Sequence, residues 1–243
     1  MYKKHRILCI IPARGDSMGI PRKNIKIFCG KPLIAYTIEQ AKRSKYIDRV
    51  IVSTDDLEIS EISLRYGAEI PFTRPAELSG DNISTIDVLL HAIEWVEKKE
   101  QYMFDILTLL HVTAPLRKVE DIDNCIELLV RRKGDSIFSV TEAQRNPYFN
   151  MVEVTKTGAV KLVKKGNFPS RQTAPKVYEI NACVYVWWKN TLKEKRSIFS
   201  DKSQIYIMPK ERSIDIDDYI DFKIAEMLMN QDVDGKSVPG NSN

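Results

Sequence analysis

The chain has 243 residues, 43% of them hydrophobic, with 37 Lys and Arg against 33 Asp and Glu and a net charge of +4. That length can bury one substantial core, and so small a cationic excess, with no basic run interleaved with aromatics, argues against a nucleic-acid-binding protein. No apolar run approaches a membrane span, and the apolar residues after Met1-Tyr2-Lys3-Lys4-His5-Arg6 are too few for a signal peptide before Pro12 and Arg14 interrupt them.

In chain order, Arg6–Pro12 reads as a first strand and Pro32–Arg43 as a helix with Leu33, Ile34, Ile38 and Ala41 on one face. Arg49–Ser53 reads as a strand whose exit, Thr54-Asp55-Asp56, caps a helix over 57–66 that Gly67 stops. A third strand is expected near 69–73, and Ser84-x-x-Asp87 resembles a capping box for a helix reaching about Lys99. A buried strand at 105–112, a helix at 119–133 closed by Gly134 and a strand at 137–140 complete an alternation that predicts a mainly parallel α/β sheet. The pattern then changes. Residues 150–154 and 159–164 flank Thr155-Lys156-Thr157-Gly158 as a β-hairpin, 165–176 leave the sheet, 177–188 return as a strand, and 218–229 form a closing helix. The stretch 230–243 offers little that could pack and is expected to be a flexible tail. Cys9, Cys29, Cys125 and Cys183 show no C-x-x-C pair and no His at ligand spacing, which points to reduced thiols in the cytoplasm and against a thiolate metal site.

The most informative segment runs from Ile10 to Asn24, where a strand opens into a loop with two glycines and the cations Arg14, Arg22 and Lys23. Backbone N–H groups in such a loop can approach phosphate oxygens while the cations neutralise them. The loop matches neither G-x-x-x-x-G-K-[ST] nor G-x-G-x-x-G, so neither the P-loop nor the dinucleotide fingerprint applies. A polar turn is the plainer alternative. Asp215-Ile216-Asp217 comes second: in extended backbone the two carboxylates face one way, roughly 6–7 Å apart at Cα, a spacing that suits Mg²⁺ with room left for phosphate. A strand edge followed by a helix cap at Asp217 or Asp218 would account for the same residues. In an open parallel sheet the loops carrying Arg74 and His111 emerge at the same edge as Arg14. A surface charge and a satisfied core histidine are their ordinary explanations.

Taken together these segments are specific. Residues 11–24, with Gly30-Lys31-Pro32-Leu33-Ile34, Val52-Ser53-Thr54-Asp55-Asp56, Arg74-Pro75-Ala76-Glu77-Leu78, Thr113-Ala114-Pro115-Leu116-Arg117, Arg171-Gln172 and Arg212-Ser213-Ile214-Asp215-Ile216-Asp217, resemble the acylneuraminate cytidylyltransferases. That family includes the CMP-sialic acid synthetases and bacterial relatives acting on legionaminic and pseudaminic acids, and the likeness runs from about residue 6 to 229. The resemblance implies a Rossmann-like, mainly parallel sheet flanked by helices, with a small protruding dimerisation arm. One nucleotidyltransferase domain would span 1–229, the arm being inserted at about 145–176. It implies a cytoplasmic homodimer that joins CTP to a nonulosonic acid, giving CMP-sugar and pyrophosphate, with Mg²⁺ as cofactor.

By motif match, Arg14, Lys23 and Asp217 would be catalytic. Pro12, Ala13, Arg14, Lys23, Asn24, Arg74, Ser84 and Thr85 would contact CTP, and Asp215 and Asp217 the metal. His111, Arg171, Gln172, Asn181 and Tyr185 would lie near the sugar. Met18 stands where many relatives have lysine, His111 where glutamine is usual, and Glu179-Ile180-Asn181-Ala182 where Arg-Pro-Asn-Gly is common. The last two point to an acceptor other than N-acetylneuraminate, such as a diacetamido relative like legionaminic acid. Kdo or another acid acceptor, and a catalytically silent nucleotide-binding protein on the same scaffold, are the alternatives.

Overall fold

The computed structural model describes residues 1–17 and 19–233; Met18 and the greater part of the expected tail, 234–243, lie outside the described residues. Strand β1 (Ile7–Pro12) opens into the basic loop, and a short hairpin, β2 (Ile27–Phe28) and β3 (Lys31–Pro32), precedes helix α1 (Leu33–Arg43). Then follow β4 (Arg49–Ser53), α2 (Leu57–Arg65), α3 (Thr85–Lys99), β5 (Ile106–Leu110), α4 (Val119–Arg132) and β6 (Ser136–Glu142). The chain continues through a second hairpin, β7 (Val152–Val154) and β8 (Val160–Leu162), to the long β9 (Tyr178–Trp188), α5 (Lys189–Lys195), β10 (Ser203–Ile207) and α6 (Tyr219–Val233).

Six strands form one sheet in the order β10-β6-β9-β5-β1-β4. All run parallel except β9, which is antiparallel to both neighbours. Both faces are covered, which is why β1 and β5 are buried along their length and read as near-continuous apolar runs. One side packs β1, β4 and β9 residues against α1, α4 and α6, through Ile34, Ile38, Ile126, Leu129 and Phe222. The other side packs Leu8, Ile10, Ile51, Leu107 and Trp187 against α3, through Leu89, Ile93 and Val96. The mainly parallel α/β architecture expected from the alternation is the one observed.

Several local expectations are corrected. The strand expected at 69–73 shrinks to a single parallel bridge between Ile51 and Glu69. Pro71 and Pro75 follow closely and supply no N–H to continue a ladder. Ser84 caps α3 by accepting from the Ile86 N–H, but Asp87 instead accepts from Arg196 at 3.0 Å, so no capping box forms. Lys133, rather than Gly134, takes the left-handed conformation that ends α4. A Cβ on Gly134 would stand 3.0 Å from the Lys202 carbonyl oxygen, so that glycine serves a close approach of two backbones. Residues 230–233, assigned to the tail, belong to α6. Helix α5 and strand β10 had no expectation at all. The 150–164 hairpin is present as a separate two-stranded sheet with Val152, Val154 and Val160 exposed.

Arg117 ties the active edge of the sheet to its flanking layers. It is buried and donates to Gln40 Oε1 (3.0 Å), the Cys183 carbonyl (2.7 Å), Thr37 Oγ1 (2.6 Å) and the His111 carbonyl (2.6 Å). Burial pulls its pKa down, and all four of these acceptors are neutral. Replacing it by Met would take a donor from four acceptors in the core, of which the His111 carbonyl keeps a second one, from Thr37 Oγ1 at 3.4 Å. Arg117→Met is expected to lose about 3 kcal/mol or more of unfolding free energy in urea melts; a loss below about 1 kcal/mol would show that the network is not needed.

Candidate active site

The carboxyl ends of β1, β4 and β5 open onto a cleft of about 520 Å³ whose lining includes Pro12, Arg14, Lys23, Asn24, Arg74 and Asp217. A second lobe of about 340 Å³ adjoins it, and Thr85, His111, Thr113 and Asp217 line both. Leu109, Tyr185, Trp187, Ile198 and Asp215 close the second lobe, so its walls are largely apolar with carboxylates at the junction.

The loop after β1 is shaped by its own polar residues. The Ala13 N–H donates to the Ser53 carbonyl at 2.9 Å, continuing the β1–β4 pairing past the strand. Asn24 Nδ2 donates to the Arg14 carbonyl at 2.9 Å and closes the loop. Arg14 pairs with Asp81 at 2.7 Å across the cleft wall. Arg22 departs from the expected anion site: it adopts the left-handed conformation and turns outward to Asp56 and to Glu58 (2.6 Å) at the start of α2.

Lys23 is buried, and its Nζ donates to the Ile216 carbonyl at 2.6 Å, lying 3.8 Å from Asp217 Oδ1. Its ammonium therefore joins the basic loop to the acidic doublet. The doublet is fixed from a second direction by the Ile216 N–H, which donates to the Thr113 carbonyl at 2.8 Å, while the Ile216 side chain enters the core. Upstream, Arg212 is anchored to Asp121 at 2.7 Å. Asp218 caps α6 by accepting from the N–H groups of Ile220 and Asp221, which leaves Asp217 free to face the cleft. Gly19 is needed for the approach, since a Cβ there would fall 2.1 Å from the Asp217 carbonyl oxygen.

Both carboxylates are pushed above the ordinary aspartate range. For Asp215 the chief cause is burial, with Thr113 and Lys23 pulling the other way; for Asp217 burial comes first and the Asp215 charge second. Asp215 Oδ1 is buried without a hydrogen-bond partner. Two carboxylates, one holding an unsatisfied oxygen, fit Mg²⁺, which uses one or two protein carboxylates and fills its remaining positions with water and phosphate.

His111 sits between the lobes, edge-on to Tyr185 with ring centroids 5.6 Å apart. Burial, with the Arg117 charge adding to it, takes its pKa down to about 4, so the ring is neutral near pH 7.

Five expected site residues do not line the cleft in this chain. Arg171 lies in a separate depression of about 700 Å³ with Arg145 and Lys210, donating to the Ala143 carbonyl at 2.7 Å because its segment folds back on the end of β6. Gln172 beside it is exposed. Asn181 is buried and engaged with Ser139 Oγ and Ser213 Oγ, bracing the irregular β6–β9 pairing. Ser84 accepts from the Ile86 N–H in the first turn of α3, while Thr85, expected beside it, lines both lobes. Ala13 is buried beneath the loop and contributes backbone alone. Conversely, Ser79, Gly80 and Asp81 line the cleft without having been singled out. The Gly80-Asp81-Asn82 turn signature was their one visible signal.

Two solved structures share this fold. A CMP-2-keto-3-deoxy-manno-octonic acid synthetase complexed with CTP aligns with a TM-score of 0.67 at 16% identity over 93% of this chain and 99% of that one. The 4-diphosphocytidyl-2C-methyl-D-erythritol synthase of Anaerococcus prevotii aligns at 0.65 and 16%, over 93% and 99%. Fold and cleft thus define a Rossmann-like α/β protein with its site at the carboxyl edge of the sheet.

The profile of the cytidylyltransferase family matches residues 8–235, and the chain belongs to that family. Among curated relatives, post-translational flagellin modification protein B of Campylobacter coli is 39% identical over 93% of this chain and 95% of its own length. CMP-N,N'-diacetyllegionaminic acid synthase of Campylobacter jejuni is 38% identical over 92% and 94%, and a pseudaminic acid cytidylyltransferase of the same species 36% over 91% and 95%. The chain is a cytidylyltransferase.

Because Gly19 meets only the backbone of Asp217, its substitution tests the approach of loop to doublet. Gly19→Ala is expected to leave the melting temperature within a few degrees and to weaken CTP binding about tenfold or more in calorimetric titration. Unchanged affinity would show that the approach is not needed.

Proposed function

We propose that the protein transfers the cytidylyl group of CTP to a nonulosonic acid, releasing pyrophosphate and requiring Mg²⁺. The observation that carries this reading is the Lys23 ammonium bound to the Ile216 carbonyl, within a cleft that also holds Arg14 and Arg74. In the first lobe, Arg14 and Lys23 neutralise the triphosphate, and Asn24, Arg74 and Thr85 meet the cytidine. Asp215 and Asp217 would hold Mg²⁺, which when bound supplies charge neutralisation at phosphate oxygens and makes a nearby hydroxyl more acidic.

The second lobe takes the acceptor. Its apolar walls, Leu109, Tyr185, Trp187 and Ile198, suit acyl methyl groups, and neutral His111 offers a hydrogen bond to an amide or hydroxyl. The relatives named for N,N'-diacetyllegionaminic and pseudaminic acids support an acceptor of that type. Its anomeric hydroxyl gives its proton to solvent water and bonds to the α-phosphorus as the bond from that phosphorus to the pyrophosphate oxygen breaks. Arg14 and Lys23 face the side where negative charge grows on the leaving group. Positioning and charge do the work, and no covalent nucleophile is required.

A homodimer is part of this reading: the β7–β8 hairpin displays Val152, Val154 and Val160 to solvent, an apolar surface suited to a second copy. Arg171 and Gln172, absent from their own cleft, then belong to the surface of the 145–176 segment that carries this hairpin rather than to the sugar lobe of the same chain. A cytoplasmic location suits the four free thiols, and among the described residues no helix is long and apolar enough to cross a membrane.

Pyrophosphate release measured with CTP, Mg²⁺ and a panel of nonulosonic acids is expected to select a diacetamido acid over Kdo and N-acetylneuraminate. Asp217→Ala should lower that turnover at least about a hundredfold with the fold intact. Near-normal turnover in this variant, or no release with any acid, would refute the proposal.

A further inference from the structure

Three polar atoms on the α3 side of the sheet are buried without a hydrogen-bond partner in the protein: Ser53 Oγ, Arg74 Nε and His91 Nδ1. They come from distant parts of the sequence but from one region of the fold. Ser53 ends β4 two residues after Ile51, whose side chain lies in the α3-side core, so the Ser53 hydroxyl faces that same side. Arg74 is fastened beside it, its N–H donating to the Thr54 carbonyl at 2.8 Å and its Nη2 to the Ser53 carbonyl at 3.0 Å. His91 stands on α3 one turn beyond Val88, which lines the cleft together with Arg74. Its ring meets Phe72, two residues before Arg74, edge-on at 4.9 Å.

The chemistry of the three atoms is complementary. Arg74 Nε can only donate, the serine hydroxyl both donates and accepts, and a neutral histidine carrying its proton on Nε2 can only accept at Nδ1. Burial holds His91 below the ordinary histidine range; the Arg74 charge pushes the same way, while Glu94 and Glu77 oppose it. Its ring is therefore neutral near pH 7. A buried guanidinium nitrogen with nothing to bind is costly, and buried waters typically join about three such groups. Because Nε is shut off from solvent, a nucleotide entering the cleft cannot be the missing partner.

We propose that Ser53, Arg74 and His91 hold one internal water, and that His91 is thereby a positioning residue that fixes the Arg74 guanidinium at the nucleotide wall of the cleft. The water accepts from Arg74 Nε, donates to His91 Nδ1 and exchanges a hydrogen bond with Ser53 Oγ. This inference rests on the reading of Arg74 as a nucleotide contact made above. His91 itself touches no substrate.

The test compares steady-state kinetics of His91→Leu, His91→Asn, Ser53→Ala and Arg74→Gln with wild type, alongside their melting temperatures. Loss of one buried hydrogen bond corresponds to a rise of about tenfold in the KM for CTP. His91→Leu is expected to show that rise with kcat within about twofold, and Ser53→Ala a smaller rise in the same direction. His91→Asn, whose amide oxygen replaces Nδ1 as acceptor, should restore KM to within about twofold of wild type. If Arg74→Gln raises KM but His91→Leu does not, or if Asn fails to rescue, the positioning role is refuted while the Arg74 contact stands. If Arg74→Gln leaves KM unchanged, the Arg74 contact falls and the positioning role with it. A crystal structure with density for a water within hydrogen-bond distance of all three atoms would support the proposal, and a dry site would overturn it.

Discussion

One hydrogen bond organises this molecule: the Lys23 ammonium, buried, donating to the Ile216 carbonyl. It closes a separation of 193 residues and brings the loop after the first strand against the segment before the last helix. A buried cation needs compensation, and here it comes from one backbone dipole and one largely exposed carboxylate rather than from a tight ion pair. Lys23 is therefore left under-neutralised in a cleft, and such a charge is available to a phosphate. The doublet is the mirror case. Asp215 is half-buried and Asp217 largely exposed; desolvation raises both pKa values, with the Asp215 charge adding at Asp217, and leaves the pair receptive to a cation. Cation and carboxylates side by side, each incompletely satisfied, suit a ligand that is a polyanion carrying a metal.

The rest of the fold keeps those groups in place. The parallel strands aim their carboxyl ends at one edge, and helices on both faces exclude water from beneath it. Arg117 crosses from the β5 exit to α1 and β9, and the Thr113 carbonyl, in the same exit loop, receives the Ile216 N–H. Reversal of β9 brings Ala182 and Tyr185 to the second lobe, so one antiparallel strand gives that lobe its aromatic wall. The two lobes meet at Thr85, His111, Thr113 and Asp217.

Much of this was legible in the sequence because it is local or motif-borne. Alternating apolar periodicities gave the first strands and helices nearly to the residue, since each is buried by its own pattern. The basic loop and the doublet carried residue types whose chemistry is plain without a fold. What stayed hidden depends on partners remote in sequence. Arg22 looks like Arg14 and Lys23 until Asp56 and Glu58 arrive from α2 and draw it outward. Asn181 looks available until Ser139 and Ser213 claim its amide. Gly19 could be read as loop flexibility, whereas its role is to let two backbones touch. Helix α5 and strand β10 are short and mixed in polarity, so no period marks them.

The central claim is that loop and doublet act on one ligand as a single unit. A double-mutant cycle on CTP binding, measured by calorimetry in Mg²⁺ buffer with wild type, Lys23→Met, Asp217→Asn and the double variant, tests this most directly. The account predicts that the losses fail to add, with a coupling energy of about 0.5 kcal/mol or more. Strictly additive losses would mean that Lys23 and Asp217 serve separate ends, and would contradict it.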